Sequence, residues 1–167
     1  ARTRHAVFFD YNNDGYLDLY LLNQPPNPGS YSKFFGSDLT LPEYSLQLFK
    51  NTGNNSFIDV TKEAGLNRTG FPNSVVASDL NQDGYVDLYV ANDFDAPDFL
   101  YYNNGDGTFT EVGEEANMND GDQSWTTCFE DFDNDGDFDV FTVNHSWANR
   151  LMENNGDGTF TDIIEGS

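Results

Sequence analysis

The sequence is short of cations. Its 7 Lys and Arg stand against 29 Asp and Glu, for a formal charge of −22. No segment gathers the basic side chains that nucleic acid or an anionic membrane demands, so neither is an expected partner. Cysteine is nearly missing too. With Cys128 alone, an intrachain disulfide framework and a cysteine-based zinc site are both excluded. No apolar run nears the ~18 residues of a membrane span, so direct membrane insertion is not expected. Ala1-Arg2-Thr3-Arg4 lacks the apolar stretch of a secretory leader, and a chain opening on Ala is expected to be processed or cut from a longer one.

Aromatics, in contrast, are plentiful. Fifteen Phe, nine Tyr and two Trp are far more than an acidic disordered tail carries, so the chain is expected to fold around a core. Self-comparison shows how. Asp10-Tyr-Asn-Asn-Asp-Gly-Tyr-Leu-Asp18, Asp79-Leu-Asn-Gln-Asp-Gly-Tyr-Val-Asp87 and Asp131-Phe-Asp-Asn-Asp-Gly-Asp-Phe-Asp139 align. Each is followed by a second block, beginning at Asn51-Thr-Gly, Asn103-Asn-Gly and Asn154-Asn-Gly and ending at Phe57, Phe109 and Phe160. The period is 52 residues from Asp79 to Asp131 but 69 from Asp10 to Asp79, the excess falling in a Pro-rich insert over 24–44.

Four short strands fit each unit, in the middle one Ser74–Asp79, Val86–Ala91, Phe99–Asn103 and Thr108–Val112. Runs such as Val86-Asp-Leu-Tyr-Val-Ala place apolar groups at both parities, which predicts a strand covered on both faces. The predicted fold is all-β: three four-stranded antiparallel propeller blades, belonging to a larger ring or completed by neighbouring subunits. The units are 1–72 with its insert, 73–122 and 123–167. Asn-Gly-Asp-Gly-Thr-Phe reads as a hairpin turn with an anchoring Phe.

Oxygen-bearing side chains at loop positions 1, 3, 5 and 9, around a glycine at position 6, form a hard-oxygen cage suited to calcium. In the third loop Asp131, Asp133, Asp135, Asp137 and Asp139 crowd into nine residues, a density of like charge that opposes a compact turn without a cation. Position 7, held by Tyr16, Tyr85 and Asp137, is expected to offer its backbone carbonyl. An EF-hand or dockerin-like loop requires an acid at position 12, where Leu21, Val90 and Thr142 stand. Thrombospondin-type calcium repeats are rich in cysteine.

These motifs resemble the FG-GAP/VCBS repeat, and among its members are most similar to the bacterial ASPIC/UnbV (cartilage acidic protein-like) propellers. The resemblance rests on Asp131-Phe-Asp-Asn-Asp-Gly-Asp-Phe-Asp, Asn103-Asn-Gly-Asp-Gly-Thr-Phe-Thr and Asp59-Val-Thr-Lys-Glu-Ala-Gly-Leu66. It implies three Ca2+ sites, held by Asp10, Asn12, Asp14 and Asp18, by Asp79, Asn81, Asp83 and Asp87, and by Asp131, Asp133, Asp135 and Asp139. It also implies a secreted or cell-surface setting, with a bacterial origin.

In an up-and-down blade the 1–2 and 3–4 loops share one edge and the 2–3 loops emerge on the other. The 2–3 loops carry Tyr31, Phe34 and Phe35 in the insert, then Phe94, then His145 and Trp147. Such variable loops on a rigid scaffold are where a glycan or protein ligand is expected, although Phe94 and Trp147 also suit plain packing. The leading expectation is a noncatalytic calcium-binding module for adhesion, or for glycan or protein binding. Its alternative is a structural subunit whose blades stack on other copies of itself into a fibre or surface layer. Asp93, Asp95 and Asp98 could form a glycosidase-type pair, but a Pro-containing exposed loop favours their solvation.

Overall fold

The computed structural model describes residues 2–24, 46–94 and 96–164. Twelve strands form three four-stranded sheets, each antiparallel and ordered as the chain runs. Blade 1 contains β1 (Arg2–Phe9), β2 (Asp18–Gln24), β3 (Gln47–Asn51) and β4 (Phe57–Asp59). Blade 2 contains β5 (Pro72–Ser78), β6 (Asp87–Asn92), β7 (Phe99–Asn103) and β8 (Phe109–Glu111). Blade 3 contains β9 (Ser124–Glu130), β10 (Asp139–Asn144), β11 (Arg150–Asn154) and β12 (Phe160–Asp162). The first strands lie side by side, β5 between β1 and β9, as in a propeller whose innermost strands surround an axis. Gln24 closes β2 rather than opening the insert; Tyr31, Phe34 and Phe35 lie outside the described residues.

Two apolar layers hold the blades together. Between blades 1 and 2, Tyr20, Leu22 and Leu48 meet Leu88, Val90 and Tyr101. Between blades 2 and 3, Tyr89, Ala91 and Leu100 meet Val140, Met152 and Phe160. Every residue of β6 is buried, which is the outcome that apolar groups at both parities require of a middle blade. Hydrogen bonds also cross each of the two layers. Asn103 Nδ2 donates to the Tyr11 carbonyl at 2.8 Å, and Asn154 Nδ2 to the Leu80 carbonyl at 3.3 Å. The Phe109 N–H reaches the Ala64 carbonyl, and the Phe160 N–H the Ala116 carbonyl.

The Asn-Gly-Asp-Gly-Thr-Phe segments are hairpin turns, with Phe109 and Phe160 buried at their ends. Tyr11 of blade 1 stacks on Phe109 of blade 2, ring centroids 6.4 Å apart. Leu80 packs in the same layer as Phe160. The corresponding positions on the outer faces, Phe57 of blade 1 and Phe132 of blade 3, are 43% and 45% exposed.

Candidate metal loops and their relatives

The three acidic loops repeat one set of hydrogen bonds. The position 1 carboxylate accepts the N–H groups of positions 5 and 6: Asp10 from Asp14 and Gly15, Asp79 from Asp83 and Gly84, Asp131 from Asp135 and Gly136. The position 5 carboxylate accepts the N–H of position 7, that of Tyr16, Tyr85 or Asp137. Asn13, Gln82 and Asn134 at position 4 take φ values of 54°, 59° and 64°, and the glycine at position 6 is left-handed as well. Such turns draw the side-chain oxygens toward one centre.

Position 9 does more than offer a ligand. Asp87 is fully buried. Its Oδ2 accepts the Leu80 N–H at 2.9 Å and its Oδ1 the Asn103 N–H at 2.8 Å. Asp18 joins Tyr11 to Asn51 in the same way, and Asp139 joins Phe132 to Asn154. One carboxylate therefore fastens the acidic loop to the start of the 3–4 hairpin. Burial pushes Asp87 up to about 6, against the lowering effect of its backbone donors, and raises Asp18 as well. A nearby cation would offset that cost. Sequence spacing marks this residue as a ligand and is silent on its role as a fastener, which depends on a strand 15 to 33 residues further on.

The donor set fits a hard divalent cation. Carboxylate oxygens of Asp131, Asp133 and Asp139 lie within 4.8 Å of one another. In the first loop the geometry is similar but the charge balance differs. Lys50 Nζ sits 3.3 Å from Asp14 Oδ2, and Asn12 Nδ2 donates to the same oxygen. Desolvation raises the Asp14 carboxyl, but the Asn12 and Tyr16 hydrogen bonds and the Lys50 ammonium together outweigh it and leave the group below its ordinary value. In the third loop Asp137 moves the other way, to about 6, raised by desolvation and then by its carboxylate neighbours Asp135, Asp139 and Asp133.

The position 7 side chains lie against the 3–4 turn. A Cβ on Gly53 would fall 2.8 Å from the Tyr16 ring, and one on Gly105 2.7 Å from the Tyr85 ring. The two loops of each blade therefore do share an edge. Asp137 replaces that ring in blade 3, and an open cavity of about 530 Å³ lies there, lined by Asn81, Tyr102, Asp137 and Asp157 among others.

The FG-GAP-like repeat family matches residues 10–90, 79–142 and 131–167, in phase with the loops just described. The chain belongs to the FG-GAP-like repeat family. Within that family it is similar to cartilage acidic protein 1 of Homo sapiens, 30% identical over 109 residues, which is 63% of this chain and 16% of that protein. Its likeness to the Xenopus tropicalis protein is 29% over the same length, 63% of this chain and 17% of that one. The FG-GAP-like chain thus matches about a sixth of these relatives' length. A solved structure of an Agrocybe aegerita lectin, described as recognising non-reducing terminal N-acetylglucosamine, aligns at a TM-score of 0.49 and 20% identity. The alignment covers 92% of this chain and 36% of that one.

On the opposite edge, the described acids of the 2–3 loop, Asp93 and Asp98, have different settings. Asp98 is fully buried, contrary to the solvated setting its loop predicts. It accepts the Tyr89 hydroxyl at 2.7 Å, the Asn92 N–H at 2.6 Å and the Ser124 hydroxyl at 2.8 Å. Burial holds its pKa well above the ordinary value. In blade 3 the Asn149 amide oxygen accepts the Asn144 N–H in the same way, so the position braces a loop, with or without a carboxylate. Asp93 is half-buried, and Asp95 lies outside the described residues. Phe94 packs edge-on against Phe71, 5.6 Å between centroids, whereas Trp147 is exposed.

Proposed function

We propose that this FG-GAP-like chain is a noncatalytic, calcium-binding propeller module of a secreted or cell-surface protein, mediating adhesion by holding a glycan or protein ligand. The observation that carries the reading is the threefold recurrence of one hydrogen-bonded acidic loop, reaching a three-carboxylate cluster at Asp131, Asp133 and Asp139. A surface of charge −22 strains such turns, and calcium at extracellular, millimolar levels fills even weak loops. The calcium would be held by the side-chain oxygens at positions 1, 3, 5 and 9, with the carbonyls of Tyr16, Tyr85 and Asp137 available at position 7. Bound there, it would supply charge neutralisation and rigidity. The brace role of Asp98 supports a noncatalytic reading, since it occupies the fully buried carboxylate among the described residues of the 2–3 loop.

Isothermal titration with Ca2+ and thermal melts in chelator test the metal. Uptake of three ions and a clear loss of stability on chelation are expected; absence of both overturns the reading. Capture on glycan and matrix-protein arrays in millimolar calcium tests the ligand.

Stacking of copies is a second reading, favoured by Phe57 and Phe132. They occupy the two halves of a contact that Tyr11 and Phe109 complete inside the chain. Light scattering and electron microscopy with calcium distinguish a fibre from a discrete particle.

A further inference from the structure

The first strand of every blade carries a β-bulge at the same repeat position, six residues before the first loop aspartate. Pairing along the ladder skips Arg4 between Thr3 and His5, and Asn73 between Pro72 and Ser74. It skips Trp125 as well, where Val143 faces Thr126 and Asn144 faces Ser124. A bulge leaves its residue out of the ladder and re-aims its side chain, a device common beside binding sites. The bulged residues of adjacent innermost strands come together. Arg4, Asn73 and Trp125, with Asp93 just after β6, line one open pocket of about 440 Å³ on the edge opposite the acidic loops. This volume is within the ~300–1,000 Å³ of small-molecule sites.

Each wall is fixed from behind. The Trp125 indole, 52% exposed, lies flat on the His145 imidazole, 4.7 Å between centroids and 11° from parallel. His145 is itself held to Gln123 through its backbone N–H and its ring nitrogen. Arg4 donates through Nε to Gln24 Oε1 at 2.7 Å, and Gln24 is buried and tied to the Pro72 carbonyl. That bond leaves the two terminal nitrogens of the guanidinium for other acceptors. Asn73 Nδ2 is anchored on the Ser124 carbonyl at 3.0 Å. Asp93 uses one carboxylate oxygen on the Phe94 N–H, and its other oxygen remains an acceptor.

We propose that this pocket binds a neutral pyranose residue of a glycan. The apolar face of the sugar would lie on Trp125, Asp93 would accept from its hydroxyls, and Arg4 would donate to its ring or hydroxyl oxygens. A flat aromatic face beside a carboxylate and a planar set of donors suits a ring that is apolar on one side and hydroxylated at its rim. A strongly anionic sugar is disfavoured by Asp93 and by the charge of −22. The assignment rests on the binding-module reading and places the ligand at the bulged first strands, beside the 2–3 loops.

The test uses the whole chain in millimolar calcium against maltohexaose, cellohexaose, chitohexaose and mannohexaose, with oligogalacturonate as the acidic comparator. In a Trp147→Phe background the indole fluorescence comes from Trp125 alone, so a saturable change on adding a neutral oligosaccharide is expected. Trp125→Ala and Asp93→Asn should each weaken binding by about tenfold or more, with unchanged melts showing that both variants fold. Full binding by both variants, with loss in Trp147→Ala, overturns this pocket and leaves the module reading standing. Preference for oligogalacturonate overturns the neutral assignment. Binding of none of these sugars overturns the inference, and array capture of a protein ligand then decides whether the module reading survives.

Discussion

The first and third acidic loops follow the same backbone path and balance their charge differently. In blade 1, Lys50 supplies a cation from the neighbouring strand, 3.3 Å from Asp14, and position 3 is the neutral Asn12. In blade 3, Glu153 stands where Lys50 does, position 3 is Asp133, and Asp137 adds a fifth carboxylate. The first loop is partly neutralised by the protein itself; the third has no protein cation at the equivalent position. Repeats that look alike by motif therefore differ in local charge, through positions 3 and 7 inside the loop and through a residue of the third strand beyond it.

The largest effect is expected where both N–H donors to the fastener are buried. Asp87→Ala strips two buried N–H groups of their acceptor, each a loss of about 1–3 kcal/mol, and should lower unfolding free energy in urea even in chelator. Asp18→Ala, in a more open blade, should lose less. Equal losses would show that enclosure does not matter. Next comes calcium. Each site at 100 times its Kd contributes about 2.7 kcal/mol, and Asp131→Ala should remove more of the calcium-dependent rise in Tm than Asp14→Ala. The reverse order would break the contrast between the loops.

Smaller effects sharpen it. Gly105→Ala would press a methyl to 2.7 Å from the Tyr85 ring at φ +74°, whereas a methyl on Gly156 at φ +71° has Asp137 at 3.7 Å. Both should destabilise in thermal melts, Gly105→Ala by about 1–3 kcal/mol and Gly156→Ala by less. Lys50→Gln should tighten calcium at the first loop a few-fold in titration calorimetry, without changing the third. The smallest effect is the pH trend. With Asp87 raised to about 6 from an unfolded value of about 3.9, the folded state holds its proton more tightly. Its contribution is full below about pH 4 and lost as pH climbs through about 6. In chelator Tm should therefore fall from pH 5 to pH 7, a trend that calcium, which needs the ionised carboxylate, should reverse.

Much of the fold was legible because it is written in short range. The period of the acidic loops places the blades, and apolar groups at both parities of Val86-Asp-Leu-Tyr-Val-Ala foretell the burial of β6. Phe109 and Phe160 anchor their hairpins as the turn motif predicts. What escaped depends on partners distant in the chain. Asp98 looks solvated beside a proline, yet it is enclosed by Tyr89 and Ser124, the latter from the next blade. Trp125 carries no motif; only alignment of the three repeats places it level with Arg4 and Asn73, and only the ladder shows the bulge.

The position 4 side chains give the acidic rim a direction. Asn13 donates to the Gly84 carbonyl and Gln82 to the Gly136 carbonyl, each reaching from one loop to the glycine of the next. The loops are thus strung in series like links of a chain, donor leading and acceptor trailing. Each bond couples two neighbouring turns reciprocally, so loosening the middle loop should weaken the hold on both of its neighbours.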